Sequence, residues 1–71
     1  MKVATHHSEQ QLQRLADQES RADLAKRLRT VFLAKQGFTA SEISLCTGFS
    51  PRSVQEWVGR YNREGLSGLE T

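Results

Sequence analysis

The sequence lacks the residues for the disulfide bonds and metal sites that usually stabilise small domains. Cys46 is the only cysteine among the 71 residues, so no intrachain disulfide can form. No group of cysteines and histidines has the spacing of a zinc site. A single domain of this size has a marginal core. Its stability must therefore come from tight helix packing, from oligomerisation or from a bound partner, and a homodimer stays an open alternative.

Long apolar runs are also missing. No stretch approaches the roughly 20 apolar residues of a membrane span, and no apolar segment follows Lys2 as a signal peptide requires. We therefore expect no membrane partner. The lone thiol fits a reducing compartment, and we expect a cytoplasmic, nucleoid-associated protein.

No pattern in the sequence indicates catalysis. His6 and His7 stand side by side without a third metal ligand, so we expect them to be exposed to solvent. No nucleophile and base occur in a recognisable arrangement. We expect that the chain is not an enzyme, has no cofactor and no metal, and takes no small-molecule substrate.

What the sequence does have is an uneven distribution of charge. The net charge is +2, yet residues 21–63 carry eight cationic and only three anionic side chains. Such a segment suits phosphate binding, although a solvated basic surface explains it equally well. Four of these cations lie within residues 21–29, and each is interpreted as solvated, with a phosphate contact as the alternative: Arg21, Lys26, Arg27 and Arg29.

Capping signatures and apolar spacing predict an all-α fold, a small helical bundle of three to four helices. Residues 1–7 lack periodicity and are expected to form a disordered tail. A capping box at Ser8 predicts a helix over residues 9–18. An N-cap signature at Ser20 predicts a second helix over about 21–36, although the two stretches could also form one bent helix. Residues 8–65 make up the predicted domain, and 66–71 are a linker or truncated end whose leucines can pack against the bundle.

The second half of the chain has the layout of a helix-turn-helix. Thr39 and Glu42 form a capping box for a short helix, which Gly48 ends with a positive φ. Ser50 caps the next helix, and Pro51 suits its first turn. An apolar stripe then follows at helical spacing and is predicted to face the core: Val54, Trp57, Val58 and Tyr61. Three helices of a purely structural bundle are the alternative.

Two residues of the short helix are harder to place. Leu45 lies off the face that the helical spacing predicts to be buried. It is interpreted as either a peripheral core residue or an exposed contact for another chain. Cys46 is interpreted as a small core residue, since no neighbouring group would activate its thiol.

The outward face of the last helix carries side chains that read bases in the DNA major groove. Arginine pairs bidentately with guanine and glutamine with adenine. Arg52 and Gln55 stand near the helix start, the end that usually points at bases. Glu56 lies four residues from both Arg52 and Arg60 and is interpreted as orienting them, with a cytosine contact as the alternative.

Other polar residues of this helix suit the phosphate backbone. Ser50 and Ser53 accompany the free backbone N–H groups at the helix start, which favour an anion. Arg60 and Arg63 stand further along and are interpreted as backbone contacts. The predicted DNA-binding residues are Ser50, Arg52, Ser53, Gln55, Glu56, Arg60 and Arg63.

Two motifs carry a resemblance to a known family. Residues 37–43 read Gly-Phe-Thr-Ala-Ser-Glu-Ile, and residues 54–69 contain Val-Gln-x-Trp-Val-x-Arg-Tyr-Asn-x-x-Gly-Leu-x-Gly-Leu. Over about residues 21–69 the chain resembles the N-terminal, homeodomain-like helix-turn-helix of bacterial insertion-sequence transposases in the mariner-like superfamily. The resemblance implies recognition of the terminal inverted repeats of a mobile element, with the helix that carries Arg52 facing DNA.

The resemblance also implies a division of labour. Transposases of this family continue into a ribonuclease-H-like domain with three metal-binding acids, which a chain of this length cannot house. We therefore expect binding to double-stranded DNA without cleavage or strand transfer by this chain. The alternatives are a small free-standing transcriptional regulator and a helical interaction module in which residues 9–18 mediate dimerisation.

Overall fold

A computed structural model describes residues 2–70 of the chain. Within this range it contains four α-helices, no strand and one short C-terminal 3₁₀ helix. The elements are α1 (Glu9–Gln18), α2 (Ala22–Lys35), α3 (Ala40–Thr47), α4 (Pro51–Glu64) and the 3₁₀ helix (Gly65–Leu69). The predicted all-α bundle is therefore confirmed, and the stretches before Lys35 form two separate helices.

The predicted helix starts are mostly confirmed, because each depends on a local hydrogen bond. Ser8 accepts from the backbone N–H of Gln11, whose side chain accepts in return from the Ser8 N–H. The same reciprocal pair joins Thr39 and Glu42. These capping boxes satisfy backbone donors that have no partner inside the helix.

The expected cap at Ser20 is wrong. The structure starts α2 one residue later, with Arg21 as an extended N-cap that makes no side-chain capping bond. Instead, the Glu19 carboxylate accepts from both the backbone N–H and the Nε of Arg21, at 3.1 and 3.0 Å. The side-chain bond from Arg21 holds the pKa of Glu19 below its usual value. A carboxylate therefore organises this corner in place of the serine hydroxyl.

The core forms around α2, which contacts each of the other helices. A larger cluster joins α1, α2, α4 and the 3₁₀ helix, and its buried members are Leu12, Ala16, Leu24, Leu28, Val31, Tyr61 and Leu69. A smaller cluster joins α2, α3 and α4 and consists of Ala34, Ile43, Val54 and Val58. Leu69 is fully buried, which confirms that a leucine of the C-terminal segment packs against the bundle.

Residues 2–7 contact the last turns of α4 in the structure. The Asn62 side chain accepts from the Ala4 N–H at 2.7 Å and donates to the Lys2 carbonyl at 2.9 Å. Val3, between these two residues, packs against both core clusters. No periodic pattern in residues 2–7 predicts these contacts, since they come from single residues rather than from a helix.

His7 continues the contact between the N-terminal segment and α4. Its Nδ1 lies 2.8 Å from the hydroxyl of the buried Tyr61. Burial raises the pKa of the Tyr61 phenol, and a hydrogen bond with the His7 backbone acts in the opposite direction. His6 remains exposed, as the sequence indicated, and its ring meets Tyr61 edge-on.

Two interpretations of α3 are now decided. Cys46 is exposed, so its expected place in the core is wrong. Ile43 and Thr47 occupy the buried face of this short helix, and Cys46 lies to one side of that face. Leu45 is 89% exposed and so lies outside the core altogether.

Candidate nucleic-acid interface

The turn between α3 and α4 is built from two adjacent residues. Gly48 has a φ of 84°, a conformation that residues with a side chain rarely adopt, and its N–H donates to the Ser44 carbonyl at 2.8 Å. The Thr47 hydroxyl donates to the Ile43 carbonyl and accepts from the Phe49 N–H. The chain therefore leaves α3 in a fixed direction, and this direction determines where α4 begins.

The start of α4 is organised by two serines. Ser50 is the N-cap, and its hydroxyl accepts from the Ser53 N–H at 3.2 Å while donating to the Ser53 hydroxyl at 3.1 Å. Pro51 occupies the first turn, as predicted. Since the Ser50 proton is used inside the protein, Ser53 is the serine whose hydroxyl proton is available to an oxygen of a ligand.

The buried stripe of α4 orients its polar face outward. Val54, Val58 and Tyr61 are each at most 2% exposed, as the spacing predicted. Trp57 differs, since it lies at the edge of the stripe, half-buried, and packs against the larger cluster from the side. Its expected role as an anchor is thus confirmed only in part, and one margin of the indole faces charged side chains.

The predicted site residues lie where the helical spacing places them. Arg52, Gln55, Glu56 and Arg63 are exposed, and Ser53 and Arg60 are half-buried at the edge of the face. Arg52 Nε lies 3.6 Å from Glu56 Oε1, so the expected pairing of these residues is confirmed. Arg60 instead lies over the Trp57 ring, with 5.2 Å between its Cζ atom and the ring centroid.

Two cations of α2 join this surface, and sequence reasoning treated both as solvated. Arg27 Cζ lies 4.3 Å from the Trp57 ring centroid, and Arg27 also donates to the Leu69 carbonyl at 2.9 Å. Lys26 Nζ lies 4.5 Å from the centroid of the Phe49 ring. No sequence signal could reveal these contacts, because each joins segments that are distant along the chain.

The fold and this outward face define a helix-turn-helix domain, the class in which the second helix of the motif docks in the DNA major groove. A family model of the homeodomain-like domain matches residues 21–70, well over half of the chain. The chain therefore belongs to the family of homeodomain-like domains. Searches of curated proteins and of solved structures gave no match.

Two further observations concern other kinds of site. Across the part of the chain that the structure describes, no three or more His, Cys, Asp or Glu residues come together in a way that could hold a metal ion. In the same residues, no helix has both the length and the apolar character to cross a membrane. Helix α1 precedes the region that the family model matches.

Proposed function

We propose that the chain binds double-stranded DNA sequence-specifically, with α4 in the major groove. The division of α4 into two faces is the observation that carries this proposal. Three apolar residues fix one face in the core, and the exposed face presents Arg52, Gln55 and Arg63. The major groove is wide enough to admit an α-helix, and it displays the acceptor and donor patterns that arginine and glutamine read.

The geometry supports different roles along the helix. Arg52 and Gln55 stand in the first turns of α4, from which side chains reach base edges. The side chain of Arg52 is 90% exposed, and its ion pair with Glu56 is a surface pair worth about 0.3–0.5 kcal/mol. Guanine can therefore replace Glu56 at small cost. Arg63 stands in the last turn, where a phosphate contact is the role that we propose.

At a finer level, we propose that the target is the terminal repeat of a mobile element and that this chain is the DNA-recognition part of a transposase. The motifs at residues 37–43 and 54–69 support this assignment. In this role the chain binds DNA in the cytoplasm, at the nucleoid, and does not itself carry out catalysis.

The experiment is a selection of preferred duplexes from a random pool, followed by binding measurements on variants. Arg52→Ala should cost about 1–3 kcal/mol on the selected duplex and relax its base preference, because a bidentate base contact is lost. Arg63→Ala should weaken binding to all duplexes alike. Arg14→Ala, an exposed position on α1, is the matched control and should change neither property.

Two outcomes would contradict parts of the proposal. If Arg52→Ala and Arg63→Ala had equal effects on every duplex, the assigned orientation of α4 would be wrong. The selected sequences also test the finer level. Inverted repeats beside the gene support the transposase role, whereas a promoter sequence supports a free-standing regulator.

A further inference from the structure

Cationic and aromatic side chains from α2, α4 and the turn before α4 form one continuous surface, which we call the cationic ridge. Its members are Lys26, Arg27, Phe49, Trp57 and Arg60. Lys26 lies over Phe49, and both arginines lie over Trp57. The two rings are neighbours, with 6.4 Å between their centroids. The ridge therefore places three positive charges along two adjoining rings.

Two cations of the ridge, Lys26 and Arg27, differ from the arginines that form ion pairs on the surface. Arg21, Arg29 and Arg52 each lie within ion-pair distance of a carboxylate. Within residues 2–70, no carboxylate lies within ion-pair distance of Lys26 or Arg27. An aromatic ring attracts a cation without neutralising its charge. The positive charge of Lys26 and Arg27 is thus held in place but not compensated.

The rings also restrict the side chains before any ligand arrives. A free lysine or arginine side chain loses conformational entropy when a ligand fixes it, and this loss weakens binding. Arg27 is further restrained by its bond to the Leu69 carbonyl, which uses one of its five N–H groups. A ligand that carries several negative charges therefore meets cations that are already ordered.

We propose that the cationic ridge binds phosphates of the DNA backbone beside the groove that α4 enters, with Phe49 and Trp57 as positioning residues. This inference rests on the proposed function. Phe49 directly precedes Ser50, the N-cap of α4, and Trp57 belongs to α4 itself. The ridge therefore adjoins the helix that would lie in the groove, on the side that faces α2. It extends the contact with DNA from one helix to two.

The salt dependence of DNA binding tests the proposal. The affinity for a labelled mixed-sequence duplex is measured over a range of salt concentrations for the wild type and for Lys26→Gln and Arg27→Gln. Each lost phosphate contact should reduce the logarithmic salt slope by about 0.9. Arg29→Gln is the matched control on the same helix. It removes the same charge, but its side chain points to Asp17 on α1, so the slope should not change.

A second pair of variants tests the positioning role. Trp57→Phe keeps a ring beneath the two arginines and should retain the salt slope. Trp57→Leu removes the ring and should reduce the slope towards that of Arg27→Gln. Because Trp57 also contacts the core, circular dichroism checks the fold of both variants. If Trp57→Leu does not fold, the comparison of Lys26→Gln with Arg29→Gln still decides whether the ridge binds phosphate. Both side chains are exposed, so neither substitution should disturb the fold.

The results separate failure of the ridge from failure of the proposed function. Equal slopes for Lys26→Gln, Arg29→Gln and the wild type, in a protein that binds DNA and responds to Arg63→Ala, would overturn the ridge alone. Equal slopes for Trp57→Phe and folded Trp57→Leu would overturn the positioning role. A wild type that shows no salt-dependent binding to any duplex would overturn the proposed function, and the ridge with it.

Discussion

Two glycine-to-alanine substitutions should change stability in opposite directions, and the difference follows from the space around each residue. Gly59 lies in the middle of α4, and a Cβ atom there would meet only Arg63 Nη1, at 3.8 Å. This is an ordinary van der Waals distance. Alanine is more favourable than glycine inside a helix by about 0.8–1.0 kcal/mol. Gly59→Ala should therefore raise the free energy of unfolding by about this amount.

Gly68 has no such space. A Cβ atom there would lie 2.6 Å from the carbonyl oxygen of Arg60 and 2.9 Å from its carbonyl carbon. Both atoms belong to the backbone of α4, so the 3₁₀ helix must move away and loosen the buried Leu69. Overpacking of this kind costs about 1–3 kcal/mol. Alanine also restricts the unfolded chain more than glycine does, and this effect favours folding by about 0.4–1 kcal/mol. Because this gain offsets only part of the cost of overpacking, Gly68→Ala should destabilise the domain.

Urea unfolding and thermal unfolding, both followed by circular dichroism, measure the two effects. In a domain of this size, 1 kcal/mol shifts Tm by about 4–8 °C, so each change is resolvable. The wild type is the common reference, and both variants carry the same chemical change. If Gly68→Ala raises stability, the close approach of the 3₁₀ helix to α4 is wrong, and if Gly59→Ala lowers stability, the free space at Gly59 is wrong.

Two other predictions test the core directly. Tyr61 is the only tyrosine, so its titration can be followed by absorbance. Because burial raises its pKa, the folded protein holds the phenolic proton more strongly than the unfolded chain. The stability that comes from this difference in the Tyr61 pKa is fully present below the ordinary tyrosine pKa of about 10. It is lost as the pH rises through the pKa that Tyr61 has in the folded protein. Tyr61→Phe should lack this alkaline loss, and a tyrosine midpoint equal to that of the urea-unfolded chain would contradict the reasoning. Leu12→Ala should cost about 2–5 kcal/mol, since Leu12 is fully buried, and an unchanged unfolding midpoint would show that α1 does not pack on α2 as described.

The sequence predicts those parts of the fold that depend on local chemistry. The Thr39 and Glu42 capping box, the positive φ of Gly48 and the Pro51 start of α4 each need only a few neighbouring residues. Together these signals place the turn and the recognition helix. The helical spacing of Val54, Val58 and Tyr61 then determines which side chains of α4 face outward.

The features that the sequence does not predict depend on contacts between distant segments. Trp57 has the spacing of a core residue, yet it is only half-buried, and two guanidinium groups from different helices lie over its ring. Cys46 is chemically suited to the core, but α3 buries only the face that carries Ile43 and Thr47. Glu19 displaces Ser20 from its capping role because its carboxylate also reaches the Arg21 side chain. The roles in DNA binding remain predictions until variants are measured.

The hydrogen bonds of Asn62 have a consequence for how the domain assembles during synthesis. They join positions 58 and 60 residues apart in the chain. Contacts of such separation form only after Asn62 has left the ribosome, whereas α1 and α2 can pair as soon as both of these helices have emerged. We therefore expect the nascent chain to fold its amino-terminal helices first and to complete the packing of α4 last.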